Sequence, residues 1–307
     1  MPQTPARRRA RPPRSLAPSA PVLQAASRPS NLLQRAHLHP VPSTLLIPLA
    51  ARARGARYFP WLDCRDVVAG ELLQRLGADV DALLDDLPTV FQVLWRTGAV
   101  KDAGRAFFAA HPQGLGANLG CGLTQHFQWL DVGANHWLDA DLPEVMALRQ
   151  QLLPVLGPRM RQADVDLTQP GWWQRLGLPS RSSANPTLLV CEGVLMYLRP
   201  AQVQAVLAEF AQCAPPGSRM VLDVLTRQAV GWAARHPSVG PTGAEFCWGV
   251  GRMAELAAVH PRLRLLREQS AAEGCGWAGI ALDALWRPWL GAPAYGVATL
   301  GVEDGFA

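Results

Sequence analysis

The first 62 residues contain no aspartate, glutamate or lysine, yet they hold ten arginines. The whole of the chain's net charge of +5 therefore sits in that stretch, and the remainder is net acidic. A basic field spread over the folded body, the electrostatic footprint of a nucleic-acid binder, is thereby excluded, so no nucleic-acid partner is expected. Also missing is any apolar run of the roughly 18 residues that a membrane helix needs. The longest candidate, from Thr44 to Ala51, is broken by Pro48. A soluble, cytoplasmic protein with no membrane partner is expected. The six cysteines are scattered singly, without a Cys-x-x-Cys pair or a histidine at ligand spacing. That excludes a disulfide framework and a zinc site, and no metal is expected.

What is present is a large apolar fraction. With 307 residues, 49% hydrophobic and 17% charged, the chain can bury the core of one big domain. Residues 1–43 are rich in Pro and Arg and lack periodic apolar positions, so they cannot offset the entropy of ordering. They read as a disordered tail ahead of a single domain over 44–307. An arginine-rich, acid-free segment also has the composition of an organelle transit peptide, but the Ala/Arg/Pro bias runs through the entire sequence.

From residue 115 onward, short apolar runs alternate with helical periodicity. Leu115–Leu119, His136–Ala140, Ala163–Leu167, Thr187–Cys191 and Ser218–Leu225 read as strands; Arg96–Ala110, Pro143–Leu153 and Ala201–Ala214 read as helices. Continuous apolar strands separated by helices predict an α/β fold, a mostly parallel sheet covered on both faces. The pattern weakens over about 226–261, which reads as an insert with a helix near Gly251–His260. Strand-like runs return at Leu263–Leu266, Trp277–Leu285 and Tyr295–Val302, predicting a C-terminal antiparallel hairpin. Seven tryptophans (172, 173, 232, 248, 277, 286 and 289) are expected in loops over the carboxyl edge of the sheet.

The chemistry concentrates in Leu119-Gly120-Cys121-Gly122-Leu123. Two glycines after a strand let the backbone turn sharply and let a ligand lie against bare peptide groups. Asp139 and Asp141 follow about twenty residues on, the reach at which a βαβ unit places a carboxylate beside a ribose. Gln125 stands where a dinucleotide fingerprint has its third glycine, which disfavours NAD and FAD and fits S-adenosylmethionine better. Cys121 and Cys191 read as small buried hydrophobes.

Four blocks then occur in a fixed order: Leu119-Gly-Cys-Gly-Leu123; Trp137-Leu-Asp-Ala-Asp-Leu-Pro-Glu-Val145 with Leu148-Arg149; Val165-Asp-Leu167 with Trp172-Trp173; and Cys191-Glu-Gly-Val-Leu-Met-Tyr-Leu198. Together they strongly resemble the leucine carboxyl methyltransferase family, in particular its bacterial polyketide O-methyltransferase branch, over roughly residues 50–225. The resemblance implies a Rossmann-like class I enzyme that moves a methyl group from S-adenosylmethionine to a carboxylate or hydroxyl oxygen of a small molecule. It implies that Gly120, Cys121 and Gly122 line the cofactor, that Asp141 with its neighbour Asp139 holds the ribose, and that Asp166 and Leu167 meet the adenine edge. Arg96, in the Trp95-Arg96-Thr97 block, would pair with the methionine carboxylate. Glu192 would face the amino group or the sulfonium, and Tyr197 would position the acceptor; these two are the candidates nearest the transferred methyl. Where the family commonly carries Asp-Thr-Arg, this chain has Thr124-Gln125-His126. His126 accordingly reads as either a weaker polar substitute for the family arginine or, preferably, an ordinary surface histidine. A carboxylate acceptor needs no general base; a hydroxyl would want one, from His126, His236 or His260.

Three rivals remain open at this stage. An amine methyltransferase is disfavoured, because the block after the fourth strand lacks an Asn- or Asp-Pro-Pro-Tyr turn. A protein carboxyl methyltransferase shares the family. A non-catalytic module that keeps the fold is motivated by the missing Asp-Thr-Arg.

Overall fold

Seven strands form one twisted sheet in the order β3-β2-β1-β4-β5-β7-β6. They are β1 (Leu115–Leu119), β2 (His136–Asp141), β3 (Met160–Asp164), β4 (Thr187–Cys191), β5 (Arg219–Leu225), β6 (Leu263–Ser270) and β7 (Tyr295–Val302). The first five run parallel, and β7 lies antiparallel to both β5 and β6. The computed structural model describes residues 42–304 except 154 and 156; the predicted tail, but for its last two residues, lies outside them.

The sheet is parallel at its centre because its strands are apolar on both sides. In β4, Leu189 and Cys191 point into one layer and Leu188 and Val190 into the other, all of them buried. Among the described residues six helices of nine residues or more accompany it: α1 (Leu46–Arg54), α2 (Val67–Leu76), α3 (Leu87–Ala110), α4 (Pro143–Leu152), α5 (Pro200–Cys213) and α6 (Gly276–Leu290). Helix α5 presents Val203, Val206, Leu207 and Phe210 to one face of the sheet, and α3 presents Val100, Phe107 and Phe108 to the other. Helices α1 and α2 pack with parts of α3 and α4 in a third cluster. Helix α3 starts where the Asp86 side chain accepts from the Thr89 N–H, nine residues before its predicted start, and stops at His111-Pro112. Gly116 leaves room for the Trp137 ring of the neighbouring strand: a Cβ there would stand 2.2 Å from it.

This is the Rossmann-like, mostly parallel fold with helices on both faces that the sequence predicts, and an antiparallel C-terminal pair closes it. Two elements differ from expectation. β3 lies three residues earlier, because it is an edge strand with only Met160 fully buried, while Val165 and Leu167 reach the core from the loop beyond it. Trp277–Leu285 is helical, as part of α6, and separates β6 from β7. An apolar run of that length fits either element, and here Ala278, Ala281 and Ala284 favour the helix. The tryptophans also spread out: Trp172 and Trp173 are in the core, and Trp277, Trp286 and Trp289 are exposed on α6. Residues 226–262 are a string of short turns between β5 and β6, ending in a 3-10 helix over Met253–Val259.

Candidate active site

The turn after β1 needs its glycines. Gly120 and Gly122 have φ of +68° and +48°, and the N–H groups of Gly120 and Cys121 both donate to the Ala140 carbonyl at the end of β2. A Cβ on Gly120 would lie 2.2 Å from the Val194 side chain, and one on Gly122 would lie 2.8 Å from Leu45. The Gly122 N–H donates to Asp141 Oδ2 and the Leu142 N–H to Oδ1, each at 2.7 Å. Burial nevertheless pushes the Asp141 carboxyl up to about 6, against those two bonds and the nearby Arg149.

Arg149, reaching across from α4, is fully buried under this turn. It donates to the Gly122 carbonyl (2.8 Å), to Gln125 Oε1 (2.7 Å) and to Asp139 Oδ2 (2.6 Å). The other Asp139 oxygen accepts from Trp137 Nε1 at 2.9 Å. Asp139 thus has both oxygens engaged in the interior; neither it nor Asp141, which accepts from the turn itself, borders the cavity described below.

A second buried network links α3, β4, β5 and β7. Arg96 donates through Nε to Glu192 Oε1 (2.7 Å) and through Nη1 to Asp223 Oδ2 and the Tyr295 hydroxyl (both 2.9 Å). The Tyr295 hydroxyl donates in turn to Asp223 Oδ2 at 2.6 Å, and the Gly193 N–H donates to Asp223 Oδ1 at 2.7 Å. The second oxygen of Glu192 lies 3.1 Å from His126 Nε2. Burial alone would raise the Glu192 carboxyl, but the Arg96 guanidinium and the His126 bond hold it well below the usual carboxylate range. His126 is fully buried, not at the surface: the short turn after Leu123 tucks it against Glu192 and Trp137.

A cavity of about 600 Å³ opens above the carboxyl ends of β1, β4 and β5. Arg96, Gly120, Cys121, Gly122, Glu192 and Tyr197 all border it. Cys121 is buried, and desolvation pushes its thiol well above the ordinary range. Tyr197 packs on Phe246, with ring centroids 5.8 Å apart. Ile47, Trp232, Val239 and Phe246 form an apolar wall, and His236 stands in it with Nε2 3.2 Å from Thr89 Oγ1. Of the three histidines considered as bases, His236 is the one that borders the cavity. Asp166 and Leu167 do not border it: Asp166 accepts from the backbone and hydroxyl of Thr168 at a partly exposed turn, and Leu167 packs in the core. Asp223 and Tyr295 escape sequence reasoning, although an aspartate in the buried run Met220–Leu225 is a visible signal of a partnered charge.

Residues 51–211 match the leucine carboxyl methyltransferase family, and the chain belongs to it. It is accordingly an S-adenosylmethionine-dependent methyltransferase. It is similar to the tetracenomycin polyketide synthesis O-methyltransferase TcmP of Streptomyces glaucescens, 32% identical over 232 residues that cover 75% of this chain and 83% of that one. Among solved structures it is similar to an O-methyltransferase family protein from Burkholderia thailandensis (15% identity, 84% of this chain and 72% of that one, TM-score 0.46). It is also similar to human N-acetylserotonin methyltransferase in complex with SAM (13% identity, 76% and 62%, TM-score 0.42).

The cavity fits S-adenosylmethionine in two respects. Its floor has peptide without side chains at Gly120 and Gly122, both at positive φ, and its wall carries a guanidinium and a carboxylate for a ligand with a carboxylate at one end and a sulfonium near its middle.

Proposed function

We propose that this enzyme transfers the methyl group to a carboxylate or hydroxyl oxygen of a small molecule, with an aromatic polyketide as the acceptor class. One observation carries the reading: the cavity runs from the Gly120–Gly122 turn and Glu192 to an apolar, partly aromatic wall of Trp232, Phe246 and Ile47. That gives a hydrophobic aromatic acceptor a place beside the charged end of the cavity, in the size range of small-molecule sites. A sulfonium methyl is already activated, so the enzyme's task is to hold an acceptor oxygen in line in a dry pocket. In this reading Arg96 and Glu192 hold the amino-acid end of the cofactor, and Asp141, which supports the Gly122 turn, holds its ribose. Tyr197 orients the acceptor, and His236 takes the proton of a hydroxyl acceptor.

The test incubates the full chain with methyl-labelled cofactor and a panel of aromatic polyketide acids and phenols, followed by mild alkaline hydrolysis. Label released by base marks an ester, and label that survives marks an ether. Labelling of protein carboxyl groups, with none in the panel, overturns the small-molecule reading. Failure of S-adenosylhomocysteine to bind even at millimolar concentration would indicate the non-catalytic module.

The ribose role of Asp141 has a pH signature. Its carboxyl sits at about 6 in the free protein, and an ionised carboxylate accepts better from two ribose hydroxyls, so cofactor binding releases a proton below that pH. S-adenosylhomocysteine affinity is expected to rise with pH up to about 6, by at most about tenfold per unit, and to level off above it. Calorimetric titration from acid to neutral pH checks this. An Asp141→Asn variant should give a flat profile; a slope that persists in it assigns the proton elsewhere.

A further inference from the structure

Helix α6 is joined to the molecule by a narrow stripe. Of its residues only Gly279 is buried, where a Cβ would meet the Ala272 carbonyl at 2.1 Å. Its two charged side chains are both paired, Arg287 while 36% of its side chain stays exposed. Asp283 accepts from Ser270 Oγ (2.9 Å) and from Arg287 Nε (3.1 Å), and Arg287 also pairs with Glu268 on β6. No unpaired charge is left on the helix. There Trp277 is 84% exposed, Trp289 79%, Leu285 67%, Leu282 57% and Trp286 55%. At 3.6 residues per turn, Leu282, Leu285, Trp286 and Trp289 fall within a stripe about 100° wide.

We propose that this face is the contact between two copies of the chain, α6 packing on α6 across a two-fold axis. The four side chains of the stripe expose on the order of 550 Å² of apolar area, at the top of the range for the largest patch on a typical monomer and close to one partner's share of the smaller standard interfaces. A charged partner finds nothing to complement on this face, whereas an isologous contact needs only a self-complementary apolar surface. A membrane-surface helix keeps its basic side chains free for head groups, and the single arginine of α6 is tied to Asp283 and Glu268. The exposed Arg264 and Arg267 on the edge strand β6 oppose strand-to-strand extension of the sheet, which leaves helix-on-helix packing as the mode of contact.

The test is the solution mass of the full chain, by light scattering and sedimentation at tens of micromolar without detergent. Twice the 33.2 kDa chain mass is expected. The double variant Leu285→Glu and Trp289→Glu places like charges across the axis and is expected to weaken association by about 100-fold or more, giving a monomer. Both side chains are exposed, so its circular dichroism and S-adenosylhomocysteine affinity should match those of the parent. A monomeric parent, or a dimer indifferent to the double variant, overturns the proposal. A monomeric parent that floats with phosphatidylglycerol vesicles overturns it in favour of a membrane surface.

Discussion

Replacing Arg96 with alanine is expected to cost about 3–5 kcal/mol of stability, the usual penalty for breaking a buried charge pair and leaving its partner behind. Arg96 is the cation that Glu192 and Asp223 share, and both carboxylates are nearly inaccessible to water. Without it, His126 is left beside Glu192, while Asp223 keeps only the Tyr295 hydroxyl and the Gly193 N–H. At roughly 2–4 °C per kcal/mol for a domain near this size, the melting temperature should fall on the order of 10 °C. The same variant bears on the role proposed for Arg96 with the cofactor. Measured at low temperature, where the protein remains folded, its S-adenosylhomocysteine dissociation constant should rise by about 100-fold or more, as expected when a charge-assisted, largely desolvated bond to a carboxylate is removed. An Arg96→Lys variant keeps the charge but loses the fork, and should fall between the two. A melting loss with unchanged affinity would leave Arg96 a purely structural cation.

The parts of this molecule that can be read from its sequence are those where local pattern and tertiary environment agree. β1, β4 and β7 have the bounds expected of them because they are mainly apolar runs, β4 and β7 buried from end to end and β1 at every residue but Leu115. β3 is displaced because an edge strand alternates, and its more conspicuous apolar residues, Val165 and Leu167, serve the core from a loop. Trp277–Leu285 misleads because its apolar residues face outward, so their hydrophobicity carries no information about a buried face. At the site, the glycine turn, Arg96, Glu192 and Tyr197 are legible from ordered motifs, and the fold gathers them around one cavity. The joining of Arg96 to Asp223 and Tyr295 is made by the sheet, across 127 and 199 residues of sequence, and no local pattern shows it. His126 is misread for the same reason: its burial depends on a carboxylate 66 residues away.

Arg149 holds one of the two carboxylates near the end of β2 in the interior while the other caps the glycine turn, and its replacement makes the second large prediction. Asp139 and Asp141 point to the same side of the strand, but Arg149 and Trp137 engage both oxygens of Asp139 in the interior. An Arg149→Met variant leaves Asp139 charged and buried with only the indole N–H, and should lose about 3–5 kcal/mol. Adding Asp139→Asn removes the stranded charge while keeping an acceptor for Trp137, so the double variant should recover most of that loss. Urea denaturation of the two single variants and the double variant measures the coupling directly. Recovery of stability should not restore the site. Arg149 also anchors the Gly122 carbonyl and Gln125, so the turn under the proposed cofactor loses its support in both variants that lack the guanidinium. S-adenosylhomocysteine should therefore bind the stable double variant about tenfold more weakly than the parent, the scale of one lost charged hydrogen bond acting through the backbone. Equal affinity in parent and double variant would confine Arg149 to the core and show that the glycines hold the turn without it.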